Sequence, residues 1–263
     1  MSALILLTRP RAASERFAQE FRALYHVHGS DGGEGGALVA SKQAPQIMVL
    51  PLAEIVPCGP VPDMSAYRGA VFTSQNAVAA YALGGGSRDI PAYCVGDVTA
   101  QAARDLGMRA MSSDGTAEEL IADICAKGQN GPLMHLRGAQ GRGRVAQRLS
   151  AAGIPCDEAV LYRQDDVPVS VQNKADLTAQ AAQADVIIAP VFSPLGAARL
   201  SLLGESPAPM WVLAISKAAA NALDGRGDAR IEVADRPSSD AMLAGLKRLC
   251  DAAERLEGRP SPH

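Results

Sequence analysis

The chain has 263 residues, 48% of them hydrophobic but only 4% aromatic, with a formal net charge of −3. That is apolar material for one large or two modest domains, packed mainly from Ala, Val, Leu and Ile. The charge argues against the broad basic surface of a non-specific nucleic-acid binder, and no apolar run approaches the roughly 20 residues of a membrane span.

Met1-Ser2-Ala3-Leu4 leads directly into a strand-like run with Arg9 and Arg11 behind it, which is not the pattern of a signal peptide. Cys58, Cys94, Cys125, Cys156 and Cys250 are odd in number, widely spaced and without a Cys-x-x-Cys pair. Free thiols in a reducing cytoplasm are the simplest reading. His26-Val27-His28 is the one histidine cluster, and no ligands nearby complete a metal site, so no metal is expected.

In chain order, Leu4 to Leu7 is an apolar run ending at Thr8-Arg9-Pro10. Ser14 opens an amphipathic helix with Phe17, Phe21 and Leu24 on one face. Gly29 to Gln43 reads as a surface loop. Gln46 to Val56 is extended, broken by Pro51 and closed by Pro57. Ala70-Val71-Phe72 then meets the polar corner Thr73-Ser74-Gln75-Asn76 and an alanine-rich helix, with Ser74 or Asn76 placed to cap it. Ala92 to Gly96 is a strand leading to Asp97-Val98-Thr99 and a helix through Leu106. Thr116 with Glu119 forms a capping box for the next helix.

Leu133 to Leu136 is a strand ending in Arg137-Gly138 and the loop to Gly143, followed by a helix from Arg144 to Ala152. Glu158 to Arg163 is another strand. Asp185 to Ala189 is a strand that ends before Pro190 and leads through Phe192-Ser193-Pro194 to a helix. Trp211 to Ile215 runs into Ser216-Lys217 and an Ala-rich helix. Pro237-Ser238-Ser239-Asp240 caps the last helix, through about Cys250, and 257–263 is a loose tail. Strands alternating with helices throughout predict parallel α/β architecture.

The chain also repeats itself. The corner at Ser74 matches that at Ser193, Gly96 matches Ser216, Thr99 matches Ala219, and the capped helix at Thr116 matches that at Ser239. These pairs lie about 120 residues apart, the size of a modest α/β unit. His135-Leu136-Arg137 instead resembles Thr8-Arg9 at the other end of the chain. Two similar lobes are therefore expected. One is discontinuous, from residues 1–52 and 165–256, and the other, 57–158, is inserted into it, with linker strands at 47–56 and 159–164.

Few side chains look catalytic. There is no Gly-x-Ser-x-Gly elbow and no P-loop, and Gly138 to Gly143 lacks dinucleotide spacing, leaving a tight turn or a phosphate site. What recurs is strand ends rich in Ser, Thr, Gly and Arg: Thr8-Arg9, Thr73-Ser74, Gly96 to Thr99, Arg137-Gly138, Ser193 and Ser216-Lys217. In open α/β sheets ligands lie at the carboxyl ends of strands. A cleft of amides, hydroxyls and cations suits a polyanion, although each Ser or Thr taken singly reads as a helix cap. Arg142, Arg144 and Arg148 read equally as a solvated helix face. Tyr162 is either a packing residue at a lobe crossing or a hydroxyl aimed into the cleft.

Phe72-Thr-Ser-Gln-Asn-Ala-Val, Val95-Gly-Asp-Val-Thr-Ala, Gly115-Thr-Ala-Glu-Glu-Leu, Leu161-Tyr-Arg and Phe192-Ser-Pro, in this order, resemble uroporphyrinogen-III synthases over about Leu4 to Leu249. The resemblance implies two flavodoxin-like lobes with parallel sheets joined by a two-stranded linker. It implies a cytoplasmic enzyme, a monomer, without cofactor, metal, nucleic-acid or membrane partner, with the upstream hydroxymethylbilane-producing enzyme as its possible neighbour. The reaction is cyclisation of hydroxymethylbilane, a tetrapyrrole with eight carboxylates, through a spiro intermediate that inverts the last ring and loses water. The resemblance makes Tyr162 the acid that helps the hydroxyl leave, and Thr73, Ser74, Thr99 and Ser193 cleft residues. Together with Arg9, Gln75, Asn76, Gly96, Arg137, Gly138, Ser216 and Lys217 these form the expected substrate site. Where family members usually show Gly and a hydroxyl pair, this chain has Ser216-Lys217-Ala218-Ala219. The rival expectation is a two-lobed protein that binds a polyanion, or regulates, without chemistry.

Overall fold

The computed structural model describes residues 2–27, 45–113, 115–128, 131–140, 144–223 and 230–257. The expected loop at 29–43, the end of the Gly138–Gly143 loop with Arg142, His28 and the tail beyond Glu257 lie outside these residues.

Two compact units emerge, Met1–Glu54 with Asp166–His263, and Ile55–Asp165. The first unit begins with β1 (Ala3–Leu7), α1 (Arg11–Val27) and β2 (Gln46–Val49). β3 (Ala53–Pro57) carries the chain into the second unit. There follow β4 (Gly69–Phe72), α2 (Gln75–Leu83), β5 (Ala92–Cys94), α3 (Asp97–Asp105) and β6 (Ala110–Ser112). α4 (Ala117–Ala126), β7 (Leu133–Gly138), α5 (Val145–Ala151) and β8 (Cys156–Asp166) complete it. The chain returns through α6 (Val171–Ala181), β9 (Val186–Val191), α7 (Pro194–Ser201), β10 (Met210–Ala214), α8 (Lys217–Ala220), β11 (Arg230–Val233) and α9 (Ser239–Glu257).

The first sheet has the order β11-β10-β9-β1-β2 and the second β3-β8-β7-β4-β5-β6. The first sheet's pairings are parallel, the flavodoxin arrangement with its switch point between β1 and β9. In the second sheet β8-β7-β4-β5-β6 repeats that arrangement in permuted chain order, with the switch point between β7 and β4. β3 is added at the far edge, where Cys58 N donates to Leu161 O at 2.8 Å. The expected α/β fold class is the observed one.

Both faces of each sheet are covered, which is why the central strands read as unbroken apolar runs. Leu4, Leu6, Ile187 and Val212 pack under α6 and α7, while Ile5, Leu7, Ile188 and Leu213 pack under α1 and α9. Ala70, Phe72, Met134 and Leu136 face α2 and α3; Val71 and Leu133 face α4 and α5.

The ladders place the repeat in register. Ile188 pairs with Ile5 and Gly69 with Leu133, so matching Ser193 to Ser74 makes Ile5 the counterpart of Leu133. By the same count Leu7 corresponds to His135, Arg9 to Arg137 and Phe192 to Thr73. Val49, which pairs with Leu7, corresponds to Glu158, which pairs with His135.

The boundaries differ from expectation in four places. β6 and β11 were not anticipated; both are short edge strands with half-exposed residues and no clear alternation. α9 continues past Cys250 to Glu257 because Ala253 still packs in the core. β9 runs through Pro190 to Val191. Ile187 N bonds toward β10, so alternate residues face β1, and the N–H that Pro190 lacks would point to β1 beyond the last paired residues, Ile5 and Ile188. Ile47 to Val49, expected both in the first lobe and at the start of a linker strand, pair with β1 in the first sheet.

Candidate active site

Four strand-to-helix corners are built alike. Ser74 precedes α2 at φ −158°, Gly96 precedes α3 at −162°, Ser193 precedes α7 at −167° and Ser216 precedes α8 at −157°. All are extended N-caps. Ser74 Oγ accepts from Asn76 N at 3.1 Å, Ser193 Oγ from Gly196 N at 3.0 Å and Ser216 Oγ from Ala219 N at 3.3 Å. An accepting hydroxyl still carries its own proton, so each of these serines can also donate to a ligand. The first turns of α2, α7 and α8 contain no acidic residue, whereas Thr116-capped α4 carries Glu118 and Glu119 there. No acid in their own first turns offsets the positive ends of α2 and α7. Asp97 partly fills that role at α3.

In the second unit these corners gather Thr73, Ser74, Gln75, Asn76 and Gly96, all half-buried, with Arg137, Gly138 and Tyr162 at the same ends of neighbouring strands β4, β5, β7 and β8. Thr99 stands apart: it is buried, like its counterpart Ala219, so this position packs inward. The departure at Ala219 therefore removes a buried hydroxyl rather than an exposed one.

In the first unit, Arg9, Ser193, Ser216 and exposed Lys217 follow adjacent strands β1, β9 and β10. Arg9 lies over Phe192, 4.2 Å from the ring centroid, and Phe192 meets Phe17 edge-on at 4.9 Å. Burial, with Arg16 nearby, lowers the Arg9 pKa to about 10, partly offset by Glu20. It remains a cation at neutral pH.

Arg137 is differently placed. Glu158 accepts from its Nε at 3.1 Å and from its Nη2 at 2.8 Å. Each partner holds the other in its charged form, the arginine pKa raised and the carboxylate pKa lowered. Val49 stands where Glu158 would be in the first unit, so Arg9 keeps a charge that Arg137 has already shared.

Tyr162 is 8% exposed, its ring packed into the core with Leu161, Leu136 and Phe72. A Cβ at Gly138 would lie 2.5 Å from its Cζ, so the glycine is there to admit the ring. The hydroxyl has no hydrogen-bond partner among the described residues and is not fully sealed from solvent. Three participants were not legible as such: Phe192 under Arg9, Glu158 on Arg137, and buried His135, whose Nε2 lies 3.4 Å from Thr73 Oγ1. The repeat was the signal available, since each differs from its counterpart in charge or polarity. Among the described residues no group of three His, Cys, Asp or Glu stands where a metal could be held, and no helix is long and apolar enough to cross a membrane.

The two flavodoxin-type units, with hydroxyls, helix-start amides and cations gathered at their switch points, define an α/β protein of two mostly parallel sheets. A family model described as uroporphyrinogen-III synthase HemD matches residues 38–244. The chain belongs to the uroporphyrinogen-III synthase family, whose members are cyclising lyases of heme biosynthesis. Among solved structures, uroporphyrinogen-III synthetase from Helicobacter pylori is 18% identical, with 95% of this chain and 100% of that chain covered and a TM-score of 0.61. A mutant uroporphyrinogen III synthase from Thermus thermophilus is 16% identical over 95% and 100% of the two chains, with a TM-score of 0.47. No curated protein matches the chain significantly.

Proposed function

We propose that the chain closes hydroxymethylbilane to uroporphyrinogen III and that its residues act chiefly by holding the substrate. The observation that carries this reading is the repeated corner: helix starts capped by serine, bare of acid in α2 and α7, beside the switch point of each sheet. Thr73, Ser74, Gln75, Asn76 and the Gly96 amide offer donors in one unit. Arg9, Ser193, Ser216 and Lys217 do so in the other. Each charge-assisted hydrogen bond to a carboxylate contributes roughly 1.5–3 kcal/mol. Arg137, shared with Glu158, and inward-packed Thr99 serve more to support the site than to bind.

Holding is the main task because the substrate carries its own electrophile and nucleophile. The Tyr162 hydroxyl gives its proton to the departing hydroxymethyl oxygen, which leaves as water and generates an azafulvenium cation. The last ring attacks through its substituted carbon to form a spiro centre. That centre fragments and recloses through the other carbon, whose released proton restores the phenol. Gly138 keeps the ring of Tyr162 in place for this step. None of the five cysteines forms a disulfide, which supports a reducing, cytoplasmic setting, and we take the working form to be the monomer.

The test is a coupled assay in which hydroxymethylbilane is supplied and the macrocycle isomers are separated. Accumulation of the inverted isomer above the spontaneous background is expected. Only the uninverted isomer, at its unaided rate, would overturn the reading in favour of a binding protein without chemistry.

A further inference from the structure

His135 has an environment that its packing does not require. It is 2% exposed in the middle of β7, between Val71 on β4 and Glu158 on β8. The first unit places Leu7, also 2% exposed, at the same ladder position, so an aliphatic side chain satisfies the fold there. The neighbouring position changes with it. Where the first unit has Phe192, the second has Thr73, so an apolar pair in one unit is a polar pair in the other.

The polar pair is incompletely bonded. Thr73 Oγ1 lies 3.4 Å from His135 Nε2, and His135 Nδ1 is fully buried with no hydrogen-bond partner among the described residues. Glu158 sits opposite His135, but both its oxygens are engaged by Arg137. Burial lowers the His135 pKa to about 4, outweighing the opposite pull of Glu158, so the ring is neutral near pH 7. A neutral imidazole has one N–H and one lone pair. A proton on Nδ1 would bury an unpaired donor, whereas a proton on Nε2 leaves only an unused acceptor, the less costly choice.

We propose that His135 is a positioning residue: its Nε2–H donates to Thr73 Oγ1 and leaves the half-exposed Thr73 hydroxyl to donate to a carboxylate of the substrate. The donor role of Thr73 is fixed before substrate arrives, because one of its acceptor sites is already filled. This inference rests on the reading of Thr73 as a substrate contact.

Two measurements test it on the full chain. In 15N-histidine NMR, His135 is expected as the neutral Nε2–H tautomer near pH 7; an Nδ1–H tautomer or an imidazolium overturns the proposal. In steady-state assays with hydroxymethylbilane, His135→Leu, the residue of the sister unit, is expected to raise KM about ten-fold with little change in kcat. The same change made on Thr73→Val should add nothing, and His135→Gln, which keeps an N–H donor, should recover part of the loss. An equal penalty for His135→Leu in both backgrounds overturns the coupling. If Thr73→Val alone leaves KM unchanged while the NMR shows the Nε2–H form, the substrate reading of Thr73 is what has failed, and the positioning role of His135 falls with it.

Discussion

Arg9 and Phe192 form a stacked pair, guanidinium over ring at 4.2 Å, with Phe17 closing against the far edge of the ring. The stack holds a cation at the end of β1 without spending it on a carboxylate. Removing the charge with Arg9→Met should raise KM for hydroxymethylbilane about 10- to 100-fold, the equivalent of roughly 1.5–3 kcal/mol. Phe192→Leu, which keeps the charge but loses the ring, should cost several-fold, on the order of 0.5–1 kcal/mol. By contrast the double change Arg137→Met with Glu158→Val, which recreates the first unit's Val49, should alter KM by much less than Arg9→Met. Steady-state kinetics with circular dichroism as a folding control decides; equal losses at the two arginines would contradict the asymmetry.

Gly138 and Tyr162 should fail together. A methyl group at 138 would meet the Tyr162 ring at 2.5 Å, so Gly138→Ala must displace it. We expect Gly138→Ala to destabilise by about 1–3 kcal/mol and to lose turnover. Tyr162→Phe should remain folded while losing rate. Thermal melts and single-turnover rates separate the two; unchanged turnover in Tyr162→Phe would remove the phenol from the chemistry.

Gly96 is the unfilled member of the four corners. Its backbone is extended, as any residue allows, and an added Cβ would come no nearer than 3.5 Å, to Gly115 Cα. Gly96→Ser copies Ser216 and should stabilise by about 0.5–1 kcal/mol, through a cap bond and a less flexible unfolded chain. Denaturant titration measures it. A gain in stability accompanied by lost activity would mean that a substrate group approaches this backbone too closely for a side chain.

His135 also gives stability a pH dependence. Its pKa falls from 6.5 to about 4 on burial, so between those values the unfolded chain binds a proton that the folded chain does not. Stability therefore rises with pH through this window and is lost as pH falls from about 6.5 toward 4, by on the order of 3 kcal/mol in all. Denaturation midpoints of the wild type and His135→Leu at pH 7 and pH 5 should differ in slope, with the leucine variant the flatter. Parallel slopes would show that other groups dominate.

The parts of the fold written plainly in the chain are those where one residue type answers one local demand. Leu4 to Leu7 and Ala70 to Phe72 are continuous apolar runs because both faces of their sheets are covered. Ser74, Thr116 and Ser193 mark helix starts because their hydroxyls meet amides only two or three residues away. What was not legible depends on cross-strand register. That Glu158 would neutralise Arg137, or that His135 would lie beside Thr73, follows from pairing across 21 and 62 residues. β6 and β11 escaped because an edge strand of three or four residues need not alternate or be apolar. Pro190 concealed the end of β9 because its missing N–H matters only against a paired neighbour.

The distance along the chain between β1 and its partner sets an order of manufacture. Ser2 N donates to Asp185, 183 residues further on, at the head of the β1–β9 ladder. The ladders of β8-β7-β4-β5-β6 lie wholly within the second unit, Ile55–Asp165. As a chain emerges from the ribosome, β1 comes out before the second unit and must wait, five apolar residues long, while that unit is synthesised after it. We predict that nascent chains with residues 2–170 exposed resist protease within Ile55–Asp165 yet remain cleavable near β1, as gel analysis of stalled chains would show. Protection of β1 at that length would reverse the order. The strand that leads to Arg9 is thus made before the unit it must wait for and is among the last to find its place.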